Sequence, residues 1–143
     1  MNLFILNGPN LNLLGQREPE IYGHSSLSEI IEDVRSSFPE HRIDHFQSNS
    51  EGALIDELQE KGYSHDGVVF NPAAYTHTSI ALADTIRAIS APVVEVHISD
   101  PEEREPYRKV NFLRKYCIHC VVGKGTSSYK KGIEWLINFL RRE

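Results

Sequence analysis

Glu95 and His97 interrupt an apolar run, Pro92-Val93-Val94-Glu95-Val96-His97-Ile98, at alternate positions. Alternate residues of a β-strand share a face, and a carboxylate in such a strand is costly unless paired or hydrogen-bonded. The pair therefore reads as functional rather than as part of the core. A second candidate group lies in Gly15-Gln16-Arg17-Glu18-Pro19-Glu20-Ile21-Tyr22-Gly23. Its two glycines can hinge and Pro19 stiffens the middle, so Arg17 and Tyr22 can fold over a crevice as a lid. A tyrosine, with a pKa near ~10, is almost wholly protonated at pH 7. A guanidinium beside it favours the charged form, and Arg17 next to Tyr22 is thus a way to build a general base.

These groups act together only if the fold brings them to one place. Short apolar runs at Leu3–Leu6, Gly67–Phe70, Pro92–Ile98 and Cys117–Val122, with a weaker one at Arg42–Gln47, predict five strands. Between them, helical spacing recurs at Leu27, Ile30, Ile31 and Val34, at Leu54, Ile55 and Leu58, at Ile80, Leu82, Ile86 and Ile89, and at Ile133, Leu136, Ile137 and Leu140. Strands apolar throughout and separated by helices imply a parallel sheet covered on both faces. The expected fold is α/β, a flavodoxin-like doubly wound sheet of order 2-1-3-4-5. Ligands of such sheets sit beyond the carboxyl ends of the strands, where the strand order reverses. Strand 1 ends at Asn7-Gly8-Pro9-Asn10, strand 3 at Asn71-Pro72 with His77 following, and strand 4 at Glu95–Ser99. Asn10 and Asn71 also suit ordinary turns, and His77 could be a solvated residue at a helix start capped by Thr78 or Ser79. Two connections, residues 7–26 and 99–116, are far longer than the two to six residues such units need, which marks them as binding segments or lids.

A chain of 143 residues with 40% hydrophobic content is expected to form one domain over residues 1–143, with residues 15–23 as its lid loop. Its formal net charge of −5 argues against gripping nucleic acid or an anionic membrane and favours a small substrate. The N-terminus has no basic region before its short apolar run, and no stretch approaches a membrane span; a cytoplasmic location is expected. Cys117 and Cys120 form a lone C-x-x-C with no second ligand pair for zinc, and as strand residues they would point to opposite faces. The Gly123–Gly132 segment, GKGTSSYKKG, lacks phosphate-loop spacing and reads as a turn with a serine cap into the last helix.

Three long motifs in one register, ILNGPNLNLLGQREPEIYG (Ile5–Gly23), NPAAYTHTSIAL (Asn71–Leu82) and PVVEVHIS (Pro92–Ser99), closely resemble the type II 3-dehydroquinate dehydratases of the shikimate pathway. The resemblance implies a flavodoxin-like subunit in a homododecamer of four trimers. It implies a cofactor-free anti elimination of water from 3-dehydroquinate through an enolate. Carried over by position, Tyr22 removes the C2 proton and Arg17 favours its ionised form. Asn10 holds the water that stabilises the enolate, and His97, tuned by Glu95, protonates the departing hydroxyl. Asn71, His77, the backbone at Ile98, Ser99 and Arg108 hold the substrate, while Asp84 serves a neighbouring subunit's site. The residues suit this chemistry on independent grounds, since such an elimination needs a base, an oxyanion stabiliser and an acid, and Arg108 can clamp a carboxylate.

Some positions depart from the family pattern. Ala73 stands where the family usually has glycine, and Asp100-Pro101-Glu102-Glu103-Arg104-Glu105 puts acids beside an anionic substrate. These departures motivate an alternative, a homologue of the same fold and assembly with lost or altered activity toward a related cyclic carboxylate. A flavodoxin or a phosphoacceptor domain fits less well, because strand 1 is followed by Asn-Gly-Pro-Asn and strand 3 by Asn-Pro. The type I dehydratases need a larger barrel and a Schiff-base lysine, and none of the six lysines lies in the three motifs.

Overall fold

Leu3 to Leu6 are each at most 1% exposed, a burial that only a strand covered on both faces allows. The computed structural model describes residues 1–16 and 18–143. Five strands, β1 (Asn2–Asn7), β2 (Arg42–Gln47), β3 (Gly67–Asn71), β4 (Val93–Val96) and β5 (His119–Val121), pair in parallel in the order 2-1-3-4-5. This is the flavodoxin-like order expected from the pattern. Leu3, Ile5, Val69, Val94 and Val96 pack on one face with helices α2 (Leu27–Ser37) and α5 (Ser127–Leu140). Phe4, Leu6, Val68, Phe70 and Val93 pack on the other with α3 (Glu51–Ser64) and α4 (Ile80–Ala88). The two-residue alternation of side chains thus feeds two apolar layers.

Serines start three of these helices. Ser26, Ser50 and Ser79 accept from the N–H groups of Glu29, Ala53 and Leu82 at 3.2, 3.2 and 2.9 Å, which satisfies donors that the helix cannot. The serine cap expected for α5 does not form: Thr126 precedes it without a side-chain bond, and Ser127 Oγ donates instead to the Lys124 carbonyl at 2.6 Å. Ile80, expected on a buried face, is 60% exposed at the first turn of α4. β4 stops at Val96, short of the expected Ile98, although the His97 N–H still reaches the Val121 carbonyl at 2.9 Å. β5 begins two residues late because Cys117 closes a 3-10 turn, its N–H on the Arg114 carbonyl.

Close approaches bring the strand ends and α5 into position. A Cβ on Gly132 would lie 2.9 Å from Val96 Cγ2, so α5 sits directly on the sheet. At the edge, the His119 ring stacks on Trp135 with centroids 4.3 Å apart, and Trp135 stacks in turn on Phe139. Gly8 N–H donates to the Asn71 carbonyl at 2.8 Å, and a Cβ at Gly8 would meet the Pro72 oxygen at 2.4 Å. β1 and β3 therefore end together, at the point where strand order reverses. Over these ends run the two long connections. The first carries a 3-10 turn at Leu11–Leu13 and the one-turn helix α1 (Pro19–Tyr22); the second carries 3-10 turns at Pro101–Glu103, Pro106–Lys109 and Arg114–Tyr116. Among the described residues no helix is long and apolar enough to cross a membrane.

Candidate active site

A cavity of about 90 Å³ lies over the carboxyl ends of β1, β3 and β4, between the two long connections. Asn10, Tyr22, Asn71, His77, His97 and Arg108 all line it, together with Arg104, which the sequence motifs did not single out. Glu95 stands behind His97, fully buried. Ile98 is buried and gives its carbonyl to the Gly125 N–H at 3.0 Å, and Ser99 beside it is half-buried. Asp84 does not line this cavity: it is exposed on α4 and faces Arg87 at 3.9 Å. Arg17 lies outside the described residues.

His97 Nε2 and Glu95 Oε1 form a short hydrogen bond between two buried side chains. Burial alone pushes the Glu95 carboxyl up, but the His97 bond, the charges of His97 and Arg114, and the Asn111 amide together hold it below its ordinary value. With Nε2 committed to Glu95, Nδ1 is the nitrogen that can pass a proton to a ligand. His77 is fixed differently. Its Nδ1 donates to the Val110 carbonyl at 2.6 Å, which assigns the proton to Nδ1, and burial lowers its pKa despite that bond. It faces the cavity as a neutral ring.

Tyr22 closes the opposite wall. Arg104 Nη1 donates to its hydroxyl oxygen at 2.7 Å, and the guanidinium carbon lies 5.6 Å from the ring centroid. Glu105 joins this arginine to the next: its Oε2 accepts from Arg108 Nε at 2.6 Å and lies 3.8 Å from Arg104 Nε. The acidic segment read as a departure thus contains the carboxylate that spaces two cavity arginines. Asn10 takes a left-handed backbone, φ 69°, which asparagine tolerates, and its N–H donates to Asn49 Oδ1 at 3.0 Å.

Asn71 has both ends of its amide engaged. Nδ2 donates to the Tyr129 hydroxyl at 3.0 Å and Oδ1 accepts from the Ala73 N–H at 3.1 Å. Tyr129, fully buried, donates to Asn7 Oδ1 at 2.5 Å, and Asn7 Nδ2 meets His45 Nε2 at 3.0 Å. Burial pushes the Tyr129 phenol up, so it stays a neutral donor. Ala73 itself has φ 53°, a left-handed conformation costly for alanine. Ala73 is therefore a point of backbone strain.

Tyr129, Arg104, Asn111 and Arg114 were not legible as site residues. Tyr129 has the spacing of an α5 core position, and the others sit in a charged, aperiodic stretch. Among the described residues no three His, Cys, Asp or Glu side chains gather as a metal site. Burial, then the Glu95 charge, raise the thiol of Cys120 to about 11 and that of Cys117 further, so neither is an activated nucleophile.

The family model "Dehydroquinase class II" matches residues 1–137. A 3-dehydroquinate dehydratase of Clostridium botulinum strain Hall is 44% identical over 144 residues, covering 99% of this chain and 98% of that protein. One from Synechococcus sp. strain CC9605 is also 44% identical, covering 99% of each. The crystal structure of a type II dehydroquinase from Butyrivibrio crossotus superposes with a TM-score of 0.93 at 38% identity, over 96% of this chain and 97% of that one. With the fold, the strand order and the full-length match in agreement, the chain belongs to the class II dehydroquinases.

Proposed function

We propose that this protein is a 3-dehydroquinate dehydratase, a hydro-lyase that removes water from 3-dehydroquinate by anti elimination and yields 3-dehydroshikimate. The observation that carries this reading is one cavity lined by a phenol, an amide and a buried imidazole, Tyr22, Asn10 and His97, with the Glu95 carboxylate bonded to that imidazole from behind. The Tyr22 oxygen takes the C2 proton. Arg104 Nη1 donates to that oxygen at 2.7 Å and fixes its position; Arg17, five residues before Tyr22, is proposed as the guanidinium that favours the ionised form. The enolate that forms is stabilised by a water held on Asn10. The C1 oxygen then leaves with a proton from His97, whose ring Glu95 keeps in place. His77, Arg108, the Ile98 backbone, Ser99 and the Asn71 loop hold the hydroxyls and carboxylate.

Substrate must also get in. The cavity of about 90 Å³ is well below the roughly 300 Å³ at which small-ligand sites begin. Residues 15–23 therefore act as a lid that opens at Tyr22 and closes over the ring. Asp84 and the exposed Ile80 lie one turn apart on α4, a face suited to a neighbouring subunit. The proposed assembly is a dodecamer of four trimers in which Asp84 reaches the adjacent site.

The test is the rise in ultraviolet absorbance of the conjugated enone carboxylate on mixing with 3-dehydroquinate. Tyr22→Phe is expected to lower kcat by about a hundred- to ten-thousandfold while substrate still binds. A folded wild-type chain that gives no signal sinks the reading, and an active Tyr22→Phe enzyme sinks the assignment of the base.

A further inference from the structure

Glu95 is gripped by more than a histidine. Its Oε1 accepts from His97 Nε2, from Asn111 Nδ2 at 2.7 Å and from Arg114 Nη2 at 3.2 Å. Its Oε2 is buried with no hydrogen-bond partner, as is Arg114 Nε. The grip is built from the chain itself: Asn111 Oδ1 accepts the N–H groups of both Leu113 and Arg114 at 2.9 Å. One amide thereby ties the turn that carries the guanidinium to the carboxylate. The Glu95 side chain is 1% exposed and that of Arg114 41%, so the cation reaches inward from the surface to a buried anion.

We propose that Arg114 is a positioning residue for the acid step, a permanent counter-charge that lets His97 surrender its proton without stranding Glu95 as an unpaired buried carboxylate. This rests on the reading of His97 as proton donor. In that step the C–O bond breaks, its electron pair leaves with oxygen, and the proton on His97 Nδ1 joins it to complete water. The imidazolium then becomes neutral. Were it the sole counter-ion of Glu95, its loss would leave a buried charge uncompensated, which is strongly unfavourable. Arginine cannot be deprotonated in a protein, so its charge survives the step.

The other groups around the pair do not supply that charge. His77, from the loop after β3, is kept neutral by burial. Arg108 is bound to Glu105, and Arg104 donates to Tyr22 across the cavity. Cys117 and Cys120, beside β4, are held protonated by burial. Among the described residues, Arg114 is the lasting cation in contact with Glu95.

The experiment compares wild type, Arg114→Gln and Arg114→Lys in two readouts: titration of His97 by NMR in the ligand-free, histidine-labelled protein, assigned with His97→Gln, and kcat and KM across pH. With Arg114→Gln, His97 should hold its proton about half to one pH unit higher, an effect moderated by the partial exposure of Arg114. The alkaline limb of kcat should move by the same amount. kcat should fall about three- to tenfold, with KM changed less than twofold, and Arg114→Lys should restore most of both. Asn111→Ala, which loosens the same grip, should displace His97 in the same direction. An unmoved His97 in Arg114→Gln overturns the proposal, and so does Arg114→Lys behaving like Arg114→Gln. A wild-type chain without turnover would overturn the enzymatic reading, yet the ligand-free titration would still decide the counter-charge.

Discussion

Two polar networks are buried at the same end of the sheet, and they are built on opposite principles. The one joining β1, β2, β3 and α5, made of His45, Asn7, Tyr129 and Asn71, is neutral, and its amides and hydroxyl are spent on one another, on the His45 ring and on the Ala73 N–H. The one on β4, made of Glu95, His97, Asn111 and Arg114, is charged and leaves Glu95 Oε2 and Arg114 Nε unpartnered. A neutral, satisfied network has nothing left to exchange and so sets the position of the Asn71–His77 loop. A charged one contains a group whose proton can leave. The contrast separates the wall of the site from its proposed chemistry.

Removing charge should do the most damage. Glu95→Ala is expected to cost about 3 kcal/mol in urea denaturation, because it strands Arg114 and opens a void, and to lower kcat by at least about a hundredfold. Tyr129→Phe leaves Asn7 and Asn71 each short of a partner, at about 2 kcal/mol. Its kinetic signature should be a raised KM with kcat far less affected. If instead Tyr129→Phe lowers kcat as much as Glu95→Ala at constant KM, the distinction between the networks collapses.

The networks should also fail at different pH. Burial, then the charge of Arg35, push the His45 pKa down to about 4 from 6.5, and its Nε2 must be unprotonated to accept from Asn7. The unfolded chain binds this proton more readily than the folded one. Stability is therefore full above pH 6.5 and declines as pH falls toward 4, by about 1–2 kcal/mol after solvent screening. His45→Gln should flatten that slope in chemical denaturation across pH. Glu95 is lowered, so its share persists until pH drops below 4.5. A slope confined to pH below 4.5 would remove His45 from this account. Smallest of all, Ala73→Gly relieves the left-handed strain but loosens the unfolded chain, for a net change within about 1 kcal/mol.

The fold was legible because the strands are apolar throughout and the helices amphipathic, patterns that local sequence carries. Ile80 was misjudged because spacing assigns it to a face, whereas it lies in the first turn, beyond the reach of the sheet. Glu95 and His97 were legible for a related reason: a polar residue in an apolar strand violates the pattern and needs a cause. Arg104 and Arg114 violate nothing. They lie in a charged stretch with no period, and their partners are set by how a long connection folds over the strand ends. Arg104 donates to the hydroxyl of Tyr22, a contact that no sequence pattern points to.

The ring stack at the sheet edge makes the molecule its own reporter. Trp135 is the single tryptophan, and it lies against His119 and Phe139, outside the residues that line the cavity. Its emission therefore watches the β5–α5 seam and is blind to the lid. A protonated imidazole quenches a stacked indole, and burial lowers the His119 pKa, so dimming is expected only at pH below the usual histidine range. Fluorescence melts of this protein would time the release of its last strand and helix, while events at Tyr22 would need a probe of their own.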